Sequence, residues 1–139
     1  VVLDYKTMSE NDSMYNTPPT YSIYVVGLVL EWLENLGGIE AMEKINKEKA
    51  AILYNYLDKS AMFTGTAKAE DRSMMNVTFT ATTKELEAKF CAECEANGFV
   101  NIKGHRSVGG MRASIYNAMP KEGIESLVAF MEKFEKENA

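Results

Sequence analysis

A chain of 139 residues with a net charge of −5, 46% hydrophobic and 25% charged, has the length of one ordinary domain and the balance of a globular protein with its own core. That charge leaves no basic stripe to neutralise nucleic-acid phosphates, and the longest strongly apolar run, Val25 to Leu30, is far too short to cross a bilayer. Two cysteines make no disulfide framework and no secretory leader is recognisable, so the expected compartment is cytoplasmic, with no membrane or nucleic-acid partner.

Val1-Val2-Leu3-Asp4-Tyr5 reads like a strand already under way, with no initiator Met before it. Residues 6–20 are polar and turn-rich and end in Thr17-Pro18-Pro19-Thr20, where the prolines suit the first turn of a helix. Tyr21 to Leu36 is apolar on nearly every side, which predicts a helix buried in its parent context. Gly37-Gly38 stops it, and Asn35-Leu36-Gly37-Gly38 is the best place for a domain junction. A second helix follows from Ile39 to about Lys59, with Met42, Ile45, Ile52, Leu53 and Tyr56 roughly on one stripe.

Ser73 to Thr82 alternates at period two. Met75, Val77, Phe79 and Ala81 are expected on one face and Met74, Asn76, Thr78 and Thr80 on the other, the pattern of a half-buried strand. Thr82 followed by Glu85 has the form of a capping box and opens a helix that ends at Gly98. Phe99 to Lys103 reads as a short strand. Met111 to Tyr116 reads as another, with Arg112, Ser114 and Tyr116 opposite Met111, Ala113 and Ile115. Pro120 starts a final helix whose apolar stripe is Ile124, Leu127, Val128, Met131 and Phe134. One-sided helices and alternating strands predict an α+β layer, a mostly antiparallel sheet covered on one face by helices. Arg112 then points to the uncovered face.

Chemistry concentrates between Gly104 and Ser114. The chain has one histidine and three arginines; His105, Arg106 and Arg112 fall here, among three of the nine glycines. A guanidinium grips a carboxylate or phosphate through two parallel hydrogen bonds, and glycine lets backbone approach a ligand. The segment reads as a site for a doubly anionic small molecule, against the plainer reading of two solvated surface arginines. Cys91 and Cys94 form Cys-x-x-Cys, but inside a predicted helix rather than at its start, so two partly buried thiols are expected instead of a redox pair. One histidine and two cysteines do not make a zinc site.

Gly104-His-Arg-Ser-Val-Gly-Gly-Met-Arg-Ala-Ser-Ile-Tyr-Asn-Ala-Met-Pro120 resembles the C-terminal signature of the phosphoserine aminotransferases, pyridoxal-phosphate (PLP) enzymes of class V and fold type I. Asp12-Ser-Met-Tyr-Asn-Thr-Pro-Pro-Thr20 matches a second motif of that family, and the order and spacing of the two fit it. The resemblance implies an excised C-terminal portion. Residues 1–37 would be the end of the large cofactor-binding domain and residues 38–139 the small C-terminal domain.

It also implies roles. His105 and Arg106 would bind the substrate's phosphate or side-chain carboxylate, and Arg112 its α-carboxylate. Asn16 and Thr17 would reach across a homodimer to the PLP phosphate of the other subunit; on their own they are an ordinary turn before a helix. The parent would transfer an amino group between phosphoserine and 2-oxoglutarate, in serine biosynthesis. The phosphorylated hydroxythreonine of vitamin B6 synthesis is not distinguished as a substrate. The lysine that carries PLP lies upstream in this family and none of the twelve lysines here matches it, so no catalytic residue is assigned within the chain, which is expected to be inactive alone. The alternative is a non-catalytic anion-binding or interaction domain that kept the signature.

Overall fold

The computed structural model describes residues 1 and 3–138, which form two compact units, Val1–Ile39 and Glu40–Ala139.

In the first unit the expected strand over Val1–Tyr5 is absent among the described residues; Val2 lies outside them. Helix α1 instead runs Tyr5–Glu10. Asp4 is the reason: its carboxylate accepts hydrogen bonds from Lys6 N at 3.1 Å and Thr7 Oγ1 at 2.7 Å, an N-cap that outweighs the strand propensity of the valines. Part of the supposed turn region is therefore helical. Helix α2 spans Thr20–Asn35, one residue from the expected limits, and none of its residues is buried among those described. It ends where Gly37 and Gly38 take φ of 108° and 78°, the left-handed region glycine enters at no steric cost.

Helix α3, Gly38–Leu57, carries the chain into the second unit. Its buried face is Met42, Asn46, Lys49, Ala50, Leu53, Tyr54 and Leu57. Of the expected stripe, Ile45, Ile52 and Tyr56 sit only at its margin, because two polar residues hold its centre. Strand β1, Phe63–Gly65, has no counterpart in the sequence reading. Strand β2 is Asn76–Ala81, with Val77 and Phe79 buried. Helix α4 is Lys84–Ala96 and its cap is Thr83, not Thr82: Thr83 Oγ1 accepts from Leu86 N at 3.2 Å. Strand β3, Met111–Ser114, stops two residues early, and α5 covers Lys121–Asn138.

The sheet order is β1-β2-β3, antiparallel throughout, with Phe63 opposite Ala81 and Thr78 opposite Arg112. Phe99–Lys103 is not a strand. Asn101 has φ of 61°, which breaks an extended path, and only Lys103 forms a bridge, to Met111. One core joins α3, α4, α5 and the inner face of the sheet. Its centre is aromatic: Phe63 and Phe90 are 4.9 Å apart between ring centroids, and Phe90 meets Phe134 edge-on at 5.1 Å. The α+β layer with one covered face is as expected, and β3 turns Arg112 to the other face.

Candidate functional site

The Gly104–Gly110 loop joins the Lys103 bridge to β3. Gly104 N donates to Gly110 O at 2.9 Å, and the amides of Val108 and Gly109 both donate to His105 O, at 2.9 and 2.8 Å. Only glycine fits at the neck: a Cβ on Gly104 would stand 2.2 Å from the Gly109 carbonyl oxygen. The loop therefore holds its shape through backbone contacts and leaves His105 and Arg106 exposed.

The His105 ring is engaged on one side by Ser107. Its Nδ1 lies 2.7 Å from Ser107 Oγ and accepts the Ser107 backbone N–H at 3.3 Å. A backbone N–H can only donate, so Nδ1 accepts here and a neutral ring carries its proton on Nε2. Ser107 is thus a site residue that composition alone did not single out; its signal is a hydroxyl two positions after the only histidine.

Arg112 sits in β3, its backbone N donating to Ile102 O at 2.7 Å. Its side chain is half-buried, and Nε, shielded from solvent, has no hydrogen-bond acceptor among the described residues. The arginine lines a cavity of ≈ 780 Å³ with Phe99, Lys103, Ser114, Tyr116 and Met119. Ser114 Oγ and Tyr116 Oη both donate to Asn76 Oδ1, each at 3.3 Å, which fixes the polar side of that wall. Lys103 adds a second positive group that the sequence reading passed over. An apolar-walled cavity with a buried unpaired guanidinium N–H suits a small carboxylate or phosphate. His105 and Arg106 do not line this cavity; they stand in the loop before β3.

Asn16 and Thr17 belong to the first unit. Both are exposed and come just before Pro19, the N-cap of α2, which offers no capping side chain of its own. The side-chain hydrogen bonds of this stretch are Asn11 Nδ2 to Thr7 O and Thr20 Oγ1 to Pro18 O, and among the described residues none engages the Asn16 amide or the Thr17 hydroxyl. An amide, a hydroxyl and uncapped helix N–H groups fit a phosphate.

Cys91 is half-buried and Cys94 buried in α4, both as free thiols. Burial pushes both thiols up, Cys94 to about 12, so neither is poised as a nucleophile. Among the described residues no three His, Cys, Asp or Glu side chains converge on a metal position, and no single helix is long and apolar enough to cross a membrane.

The model of the family described as aminotransferase class-V matches residues 1–127. A phosphoserine aminotransferase of Streptococcus suis is 55% identical over 139 residues, covering 99% of this chain and 38% of that protein. One from Listeria monocytogenes is 56% identical over 133 residues, covering 96% and 37%. The solved phosphoserine aminotransferase from Bacillus circulans subsp. alkalophilus superimposes with a TM-score of 0.92 at 47% identity, over 97% of this chain and 38% of that one. The PLP-bound phosphoserine aminotransferase from Trichomonas vaginalis does so with a TM-score of 0.84 at 41% identity, over 93% and 37%. The chain thus spans 38% of the length of the first of these relatives.

Proposed function

Because this chain belongs to the class-V aminotransferase family, we propose that it is the C-terminal part of a PLP-dependent phosphoserine transaminase, which converts phosphoserine and 2-oxoglutarate to 3-phosphohydroxypyruvate and glutamate. The observation that carries the reading is the half-buried Arg112, whose Nε has no acceptor among the described residues, in the wall of a cavity of ≈ 780 Å³. A substrate α-carboxylate supplies the missing acceptor, and the planar guanidinium fixes its orientation through two bonds. His105 and Arg106, exposed on a loop tied by its own backbone bonds, take the distal phosphate; the Nε2–H of a neutral His105 is a donor for it. The same pair accepts the phosphorylated hydroxythreonine of vitamin B6 synthesis as a second substrate.

Residues 1–37 are the end of a large cofactor-binding domain and residues 38–139 the small domain. Asn16 and Thr17 hold the PLP phosphate of the partner subunit in a cytoplasmic homodimer; their uncommitted donors beside a helix N-terminus support that role. The cofactor, bound through an upstream lysine, supplies an electron sink for the substrate α-carbon. The residues of this chain bind and orient the substrate and carry no proton transfer.

The test is amino transfer from phosphoserine to 2-oxoglutarate, measured for the full-length parent and for the 139-residue chain. Glutamate should form with the parent and PLP, and not with the chain alone. A parent that binds phosphoserine without turning it over would reduce the protein to an anion-binding module. Turnover by the isolated chain would place the catalytic lysine within it.

A further inference from the structure

Lys49 is 1% exposed, at the centre of the buried face of α3, and the roles above make no use of it. Lysine is almost never buried without a carboxylate. Here its Nζ donates instead into a ring of main-chain carbonyls: Tyr116 O at 2.9 Å, Met119 O at 3.0 Å, Asn117 O at 3.3 Å and Ile115 O at 3.4 Å. All four belong to the irregular segment that leaves β3 and leads to α5. That segment has no ladder partner for these oxygens, and an ammonium with three N–H donors is the compact group that can serve several at once. One turn earlier on α3, Asn46 Nδ2 donates to Asn117 Oδ1 at 2.8 Å, a second tie to the same segment. Ile115, Tyr116 and Met119 line the cavity together with Arg112, which lies three residues before the first tethered carbonyl.

We infer that Lys49 is a positioning residue for the Arg112 site: its ammonium, bound by the carbonyls of Ile115, Tyr116, Asn117 and Met119, sets the path of the cavity wall that continues from Arg112. A methionine would fill the same volume, but it would strip the carbonyls of Ile115, Asn117 and Met119 of their ammonium donor, leave Tyr116 O with the Met119 amide alone, and release the wall. An arginine would keep the charge, but its planar fork cannot replace a compact ammonium inside a ring of oxygens. The link from Lys49 to substrate binding rests on the reading of Arg112 as the carboxylate grip; the tie itself does not.

Two measurements on the 139-residue chain test the tie without substrate. In Lys49→Met, the Met119 amide, which donates to Tyr116 O, should exchange with solvent about tenfold faster or more, while Phe79 and Phe90 amides stay within about twofold. In Lys49→Ala, propylammonium should restore the slow exchange at Met119 and tetramethylammonium, which has no N–H, should not. If Lys49→Met unfolds, Lys49→Ala with the two ions decides, since only the alanine leaves room for them; if that variant unfolds too, refolding with propylammonium and not with tetramethylammonium supports the tie. Uniform loss of protection across the core, no change at Met119, or equal rescue by both ions overturns it.

In the full-length parent, Lys49→Met should raise KM for phosphoserine about tenfold, since a small displacement of a binding wall is enough for that. An unchanged KM overturns the link to the Arg112 site. A wild-type parent with no phosphoserine turnover refutes the proposed function and leaves the exchange and rescue results to decide the tie.

Discussion

Glu135 on α5 accepts a hydrogen bond from Tyr56 Oη on α3 at 2.7 Å, and the same carboxylate takes Ser60 Oγ at 2.9 Å and the amides of Ala61 and Met62 at 2.8 and 3.0 Å. One side chain thus closes the end of α3, starts the approach to β1 and fastens α5. Burial pushes the Glu135 carboxyl up, but the bonds from Tyr56, Ser60, Ala61 and Met62 outweigh it and hold its pKa below the usual glutamate value. Burial, then Glu135 itself, pushes the Tyr56 phenol well above its ordinary range.

The sign of the pH dependence follows. A carboxyl with a depressed pKa in the folded state stabilises fully above its unfolded pKa, about 4.3, and the contribution is lost as pH falls through the folded value. Glu135→Ala should therefore cost about 2 kcal/mol near neutral pH, the scale of a charged hydrogen bond whose partners are stranded. Glu135→Gln should flatten the fall in stability below about pH 4.3. Urea unfolding of both variants across the acid range measures this. A glutamine variant that loses stability with acid as steeply as the wild type would show that other carboxylates dominate.

Gly104→Ala should distort the loop that carries His105 and Arg106. The added methyl meets two carbonyl oxygens of the same loop, at 2.2 and 2.8 Å, and neither belongs to a flexible side chain that can move aside. Overpacking of this kind costs about 1–3 kcal/mol. Thermal unfolding gives the cost, and NMR shifts of Gly109 and Gly110 show whether the neck has opened. A variant with unchanged stability and shifts would mean that the loop rearranges freely.

Much of this fold is written in periodicity. Val77 and Phe79 alternate with Asn76 and Thr78, and Ile124, Leu127, Met131 and Phe134 recur at helical spacing, so β2 and α5 are read directly. What periodicity does not carry is lost. Phe63–Gly65 is too short to show alternation. Asn46 and Lys49 look like solvent residues in sequence, because what engages them is a distant segment whose main-chain carbonyls and Asn117 side chain accept their N–H groups. Asn101 looks like part of a strand until its positive φ is known. The site divides in the same way. Residue types and glycine spacing point to anion chemistry around His105, Arg106 and Arg112, but sequence order cannot reveal that Arg112 lines a cavity from which the other two are absent.

The 139-residue chain on its own should self-associate through α2. Tyr21 is 80% exposed, and Val26 and Leu30, on one stripe at helical spacing, are each 56% exposed. An apolar surface of that continuity drives association in water. Light scattering over a concentration series should show mass rising with concentration, and Val26→Lys with Leu30→Glu should suppress the rise. A wild-type chain that stays monomeric at the highest concentration would refute the expectation.

The two arginines should separate by substrate in the full-length parent. Arg112→Lys keeps the charge at the cavity but loses the two-pronged grip, and with it the orientation of the substrate α-carbon. Losing one charge-assisted bond costs about 1.5–3 kcal/mol, so kcat/KM for phosphoserine should fall by roughly one to two decades. Alanine should suffer by the same factor, because its α-carboxylate is identical. Arg106→Lys acts elsewhere: on the proposed reading the exposed loop arginine takes the distal anion, so phosphoserine should lose efficiency while alanine, which has no distal anion, is little changed. The measurement is kcat/KM for both amino donors in both variants. If Arg112→Lys stays within about twofold of the wild type for phosphoserine, the grip on the α-carboxylate lies elsewhere. If Arg106→Lys lowers both donors equally, its role is to hold the loop rather than to choose the substrate.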